Sequence, residues 1–170
     1  YSDINNNELI SCSRELGFQP LQEITLWSHK NNINDFKNKK FITKNFSKIN
    51  KNNIKKVLNF VRSNESILIR NILDFEIEDI YRRIDKNCGV YINREEINFC
   101  ILRDIGYENG KVYSLLGGFC WDERINSALH NEIKDILNNE NNIYFKSYSN
   151  NEDLNSFLLG SNLTKTNQEI

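Results

Sequence analysis

The stretch "GGFCWDERINSALHNEI", Gly117 to Ile133, is where the reading of this chain turns. Before it the apolar residues alternate, as in a strand. After it Ile125, Ala128, Leu129, Ile133, Ile136 and Leu137 recur at helical spacing along one face. The stretch is therefore a loop that hands a strand to a helix, and the free N–H groups of such a helix start are a ready site for an anion. Two uses are open: a phosphate seat, or a structural turn under a capped helix. Asp122 and Glu123 stand at the helix entrance, where carboxylates suit the helix dipole but repel a diphosphate, and Asp122 reads best as an N-cap.

Upstream of this junction the period is two. "GVYINREEINFCILRDI" predicts a hairpin turning near Asn93 to Glu95, and "YENGKVYSLLGG" a second across Asn109-Gly110, a pair suited to the positive φ angles of a tight turn. Three antiparallel strands result. Further upstream "FITKNFSKI" reads as a strand, Ile54, Val57, Leu58 and Val61 as a helix, and Ile72 to Ile84 as a second helix. Downstream "NIYFKSYS" is a strand, "NEDLNSFLL" a short helix and "LTKTNQEI" a final strand. The order over residues 41–170 is β-α-α-β-β-β-α-β-α-β.

The first thirty residues repeat the last unit in outline. "ELISCSRELGFQPLQEI" and "DLNSFLLGSNLTKTNQEI" align with one inserted residue, and both read as short helix, turn, strand. Polar, aperiodic residues 31–40 read as a linker. The expected organisation is thus a helix-strand remnant of a first domain over 1–30, a linker over 31–40 and a whole domain over 41–170. The chain starts at Tyr1 without an initiating Met, so a fragment or a processed chain is expected.

Composition excludes several classes of partner. The 170 residues carry 22 basic and 23 acidic side chains, so no net field draws in nucleic acid or an anionic membrane. No apolar run reaches membrane-spanning length and no export signal opens the chain. Cys12, Cys88, Cys100 and Cys120 form no C-x-x-C pair, and with only His29 and His130 beside them no metal-ligand spacing exists. Buried thiols in a reducing cytoplasm are expected. The lysines from Lys30 to Lys56 crowd one segment, with Phe36, Phe41 and Phe46 among them, and read as a solvated face.

This order of elements, with "NNNELISCSRELGF" ahead of a strand, resembles the GNAT family, the Gcn5-related N-acetyltransferases. The resemblance implies an α/β (α+β) fold with a mixed, mostly antiparallel sheet flanked by helices. It also implies acyl transfer from acetyl-CoA to a small-molecule amine or peptide. In that family a central strand splays from its neighbour and pairs with the pantetheine arm, and a loop of pattern R/Q-x-x-G-x-G/A wraps the pyrophosphate. Laid onto this chain, the strand end falls at Leu115 and Leu116, Trp121 at the Arg/Gln position, Arg124 and Asn126 at the two glycines, and Ser127 in the helix that follows. Those six residues are the implied cofactor site. Both glycines are absent, so the loop reads as a degenerate one.

The family's general acid, a Tyr four residues before the Gly of the "GF" ending, is matched by Ser13 in the first unit and Leu158 in the second. Neither copy keeps that group. Glu95, Glu96 and Tyr113 are candidate bases on the hairpin and strand, and His130 flanks the core without a carboxylate in sequence reach. No catalytic residue is assigned. The resemblance implies the C-terminal part of an N-acetyltransferase, or a non-catalytic module of the same fold packed on another GNAT-like domain of the same or a neighbouring chain.

Overall fold

The computed structural model describes residues 6–18, 22–29, 45–72, 74–105, 107, 110–118, 121–139, 141–161 and 163–169. The linker expected at 31–40, the first part of the strand at 41–44, Cys120 and the turn residue Asn109 lie outside them.

A nine-residue helix, α1 (Asn7–Glu15), opens the described chain, and strand β1 (Ile24–His29) follows it. Next come β2 (Phe46–Ser47) and α2 (Ile54–Asn64), whose Ile54, Val57 and Val61 are buried at helical spacing. The helix expected from Ile72 to Ile84 forms only as α4 (Ile77–Arg82), and a short helix that was not expected, α3 (Ile67–Ile72), stands ahead of it. The break has a local cause. Glu76 is extended, with its N–H given to the Asp79 carboxylate at 2.9 Å, while Arg62 holds Asp74 at 2.9 Å and the Phe75 carbonyl at 2.5 Å. A helix cannot run through a residue that caps the next one.

The chain then makes β3 (Gly89–Asn93), β4 (Glu96–Arg103) and β5 (Lys111–Gly117). The first turn places Arg94 and Glu95 at φ 50° and 70°, the two positive angles that a two-residue hairpin requires. Helix α5 (Glu123–Asn139), strand β6 (Ile143–Tyr148), helix α6 (Glu152–Gly160) and strand β7 (Leu163–Glu169) complete the order.

The strands form one seven-stranded sheet in the order β2-β3-β4-β5-β6-β1-β7. Every pairing is antiparallel except β5 with β6. The strand from the first thirty residues thus lies inside this sheet, with Ile24 opposite both Tyr148 of β6 and Glu169 of β7. Side-chain alternation splits the core in two. On one face Tyr91, Phe99, Tyr113, Leu115, Phe145 and Trp27 meet α5 and α6; on the other Val90, Cys100, Leu102, Leu116, Tyr148 and Ile24 meet α2 and α4.

Trp27 joins three elements. Its ring is fully buried, its indole Nε1 donates to Ser147 Oγ of β6 at 2.8 Å, and Ser147 donates to Asn155 Oδ1 of α6 at 2.5 Å. The expectation of buried thiols holds for Cys88 and Cys100, whose pKa values burial raises, that of Cys88 to about 12. Cys12 is a correction: it lies exposed on α1, a helix with no buried residue to shelter it.

Replacing Trp27 by Ala is expected to lower unfolding stability by about 3–5 kcal/mol. Denaturant unfolding followed by circular dichroism measures this. Amide exchange should at the same time show Ile24 to Trp27 among the slowest amides of the chain.

Candidate functional site

The parallel pairing of β5 with β6 runs only from Lys111 opposite Ile143 to Ser114 opposite Lys146. Past Ser114 the strands part. Leu115, Leu116 and Gly117 stay bonded to β4, while Ser147 and Tyr148 keep only their pairing with Thr25 and Ile24 of β1. The backbone of β5 is therefore presented along a wedge, which is the feature that lets an extended arm add to a sheet. Leu115 and Leu116 line it with their main chains only, because their side chains go into opposite faces of the core.

Two other implied cofactor residues, Trp121 and Asn126, meet at the wedge's mouth. The Trp121 indole lies across Phe157 of α6, ring centroids 6.3 Å apart, and donates from Nε1 to Asn126 Oδ1 at 2.6 Å. A Cβ built on Gly117 would stand 2.5 Å from Asn151 Nδ2 and 3.1 Å from the Trp121 ring. Glycine at 117 is thus what admits Trp121 and Asn151 to this place, and those side chains fill the room it leaves. The Arg124 side chain is exposed, and Ser127 Oγ donates to the Glu123 carbonyl of its own helix at 2.9 Å.

The start of α5 answers the question raised by its sequence. Asp122 Oδ1 accepts the N–H groups of Arg124 and Ile125, each at 2.9 Å, and the Asp122 carbonyl accepts that of Asn126 at 3.0 Å. Two of the N–H groups that a helix start offers to an anion are thus engaged by the Asp122 carboxylate, and the Asn126 bond begins the helix's own ladder. A diphosphate arriving here would have to displace a carboxylate tethered one residue away, beside a second carboxylate on Glu123. The residues present do not fit the phosphates of acetyl-CoA.

The other candidates lie apart. Glu95 and Glu96 are exposed in the hairpin. Tyr113 is fully buried and structural: its hydroxyl donates to Asp85 Oδ2 and accepts from Asn87 Nδ2, both at 2.8 Å. His130 is half-buried in α5, its pKa lowered by burial and by Lys134 nearby. Leu158 is buried in the core and Ser13 half-buried on α1. Of the lysine-rich segment, Lys48, Lys51, Lys55 and Lys56 are exposed, as a solvated face requires.

On the α2 and α4 side, below the wedge, the structure assembles a polar cluster that the sequence did not announce. The buried Lys146 of β6 pairs with Asp104, which also accepts from Ser114 Oγ at 3.2 Å, while Arg83 donates to Ser114 Oγ at 3.1 Å. The Lys146 ammonium lies 5.9 Å from the centre of the Tyr148 ring. Tyr148 donates its hydroxyl to Glu65 Oε1 at 2.6 Å, both residues buried, and burial with the Glu65 carboxyl beside it pushes the phenol well above its ordinary range. The signal for this cluster is a charged residue at 146 in a strand that is otherwise buried on both faces.

No protein-family model matches the chain, and no curated protein does. Among solved structures it resembles a GNAT-family acetyltransferase from Colwellia psychrerythraea, at TM-score 0.54 and 10% identity over 96% of this chain and 60% of that one. It resembles a GCN5-related N-acetyltransferase from Sphaerobacter thermophilus at TM-score 0.54 and 8% identity, over 99% of this chain and 56% of that one. A functionally unknown conserved protein from Staphylococcus epidermidis matches at TM-score 0.55 and 13% identity, over 99% and 68%. The chain has the GNAT fold, and it spans 60% and 56% of the lengths of the two acetyltransferases. Among the described residues no group of His, Cys, Asp and Glu could hold a metal ion, and no helix is long and apolar enough to cross a membrane.

Tyr148→Phe is expected to cost about 1–3 kcal/mol at neutral pH, because it leaves the buried Glu65 carboxyl without its donor. The sign with pH follows from the raised phenol pKa. Tyr148 contributes stability that is present below the ordinary tyrosine value of about 10 and is lost as pH rises through the folded value. Urea unfolding at pH 7 and above pH 10 should show the gap between the native chain and the variant closing at the higher pH.

Proposed function

We propose that this chain is the C-terminal part of a GNAT-fold N-acyltransferase and serves it as a non-catalytic module that does not seat acetyl-CoA. The parent protein transfers an acyl group from acetyl-CoA to an amine in the cytoplasm; the module packs on the domain that does so and shapes the acceptor side. The observation that carries this reading is the Asp122 carboxylate on the N–H groups of Arg124 and Ile125. A hydrogen bond to a charged group contributes about 1.5–3 kcal/mol, so losing two such contacts to phosphate lowers affinity by about a hundredfold or more. The Trp121 ring and the Asn151 amide packed at the Gly117 backbone support it on the pantetheine side.

A second reading, in which this domain is itself catalytic, is favoured by the parting of β5 from β6 and by the Glu65 and Tyr148 pair on the α2 side. Titrating the chain with acetyl-CoA in a calorimeter separates the two. The module reading expects no saturable heat up to about millimolar ligand. Micromolar binding that Asn126→Trp abolishes, with circular dichroism unchanged, would show a working cofactor seat and overturn it.

A further inference from the structure

The two helix-strand units that meet at the end of the sheet are built alike but housed differently. Helices α1 and α6 each have nine residues, and each is opened by an asparagine whose side chain accepts the N–H three residues on: Asn6 from Leu9 at 3.0 Å, Asn151 from Leu154 at 3.2 Å. Aligning the caps pairs Leu9 with Leu154, Cys12 with Phe157, Ser13 with Leu158 and Phe18 with Leu163. The α6 unit is sheltered: Leu154, Leu158 and Leu163 are in the core and Phe157 packs on it. The α1 unit is bare. Leu9, Leu16 and Phe18 are 47%, 72% and 68% exposed, far too much apolar surface for a closing helix.

The strands that follow these helices, β1 and β7, are antiparallel neighbours, and β7 ends the sheet. An antiparallel pair has a local two-fold axis normal to the sheet. The rotation that carries β7 onto β1 carries β6, the other neighbour of β1, onto the outer side of β7. It also carries α6 and the core that shelters it to the helix position that leads into β1. Among the described residues that outer side of β7 has no pairing strand, and an unpaired edge is a template for one. A bare helix and an open edge, arising separately, thus ask for one body.

We propose that this body is a second GNAT-fold domain, carried ahead of α1 on the same polypeptide. Its penultimate strand pairs with the outer edge of β7, and its core receives Leu9 and Phe18 as this one receives Leu154 and Leu163. The two closing strands, β1 and β7, then lie side by side in the middle of one continuous sheet, each across the boundary from its own helix's domain. A second copy of this chain fits less well, since its penultimate strand, β6, is already bonded on both sides, to β5 and to β1. The proposal deepens the module reading, resting on it for the identity of the partner.

Cys12 reports on the α1 surface, because its counterpart Phe157 packs on a core while Cys12 is exposed. The test compares maleimide modification of Cys12, followed by peptide mass mapping, in this chain and in the polypeptide translated from the reading frame upstream. Cys12 should react at least about tenfold more slowly in the longer protein, and alternate amides of β7 should gain protection from exchange. Leu9→Asp with Phe18→Asp should restore fast modification in the longer protein; if that variant misfolds, the β7 amides of the unmutated protein still decide. Equal rates in the two proteins, an upstream frame without such a sheet, or a stable dimer of this chain alone with Cys12 shielded would each overturn the proposal. Acetyl-CoA enters none of these readouts, so this proposal and the cofactor reading fail separately.

Discussion

Strand β7 is joined to the rest of the sheet through β1 alone, so the whole end of the molecule rests on how β1 is held. Backbone pairing on both sides supplies the ladder, and Trp27 supplies the lock. Its ring fills the core under α6, and its indole N–H starts a relay through Ser147 to Asn155, so strand and helix share one satisfied polar path. The last turn of β6 is held by the same strand. Ser147 and Tyr148 stay bonded to β1 where β6 has left β5, so the end of β6 is held from one side only.

At that wedge the chain has solved two problems with its own atoms. The partial positive charge at the start of α5 is met by Asp122, a neighbour in sequence that costs little entropy to hold in place. The space beside Gly117 is met by Trp121 and Asn151, and Asn126 fixes the Trp121 ring. An indole buried in part needs a partner for its N–H, and Asn126 provides it. The charged groups that remain near the wedge, Lys146 with Asp104 and Glu65 with Tyr148, are on the opposite face and are internally paired.

Much of this was legible in the sequence, and the failures have definite causes. The hairpins, α2, α5, β6, α6 and β7 follow from periodicity, and the Asp122 cap from a carboxylate placed just before an apolar helical face. That residues 24–29 form a strand was equally legible. Their place between β6 and β7 was not, because alternation says that a strand has two faces and is silent about its edges. The start of α4 at Ile77 rather than at Ile72 was missed because the apolar spacing runs through Leu73 and Phe75; the Glu76 to Asp79 spacing was the available sign. The Glu65 contact with Tyr148 joins residues 83 positions apart and leaves no local trace.

The position of β1 has a consequence for synthesis. The strand is made well over a hundred residues ahead of both of its partners, β6 at Ile143–Tyr148 and β7 at Leu163–Glu169. At about 5–20 residues per second, "ITLW" waits on the order of ten seconds without either ladder. During that interval it is an apolar, β-branched and aromatic segment of the kind that pairs with the wrong chain. The nascent protein is therefore exposed to misassociation in proportion to elongation time, and slow codons between β1 and β6 would lengthen the risk while those after β7 would not.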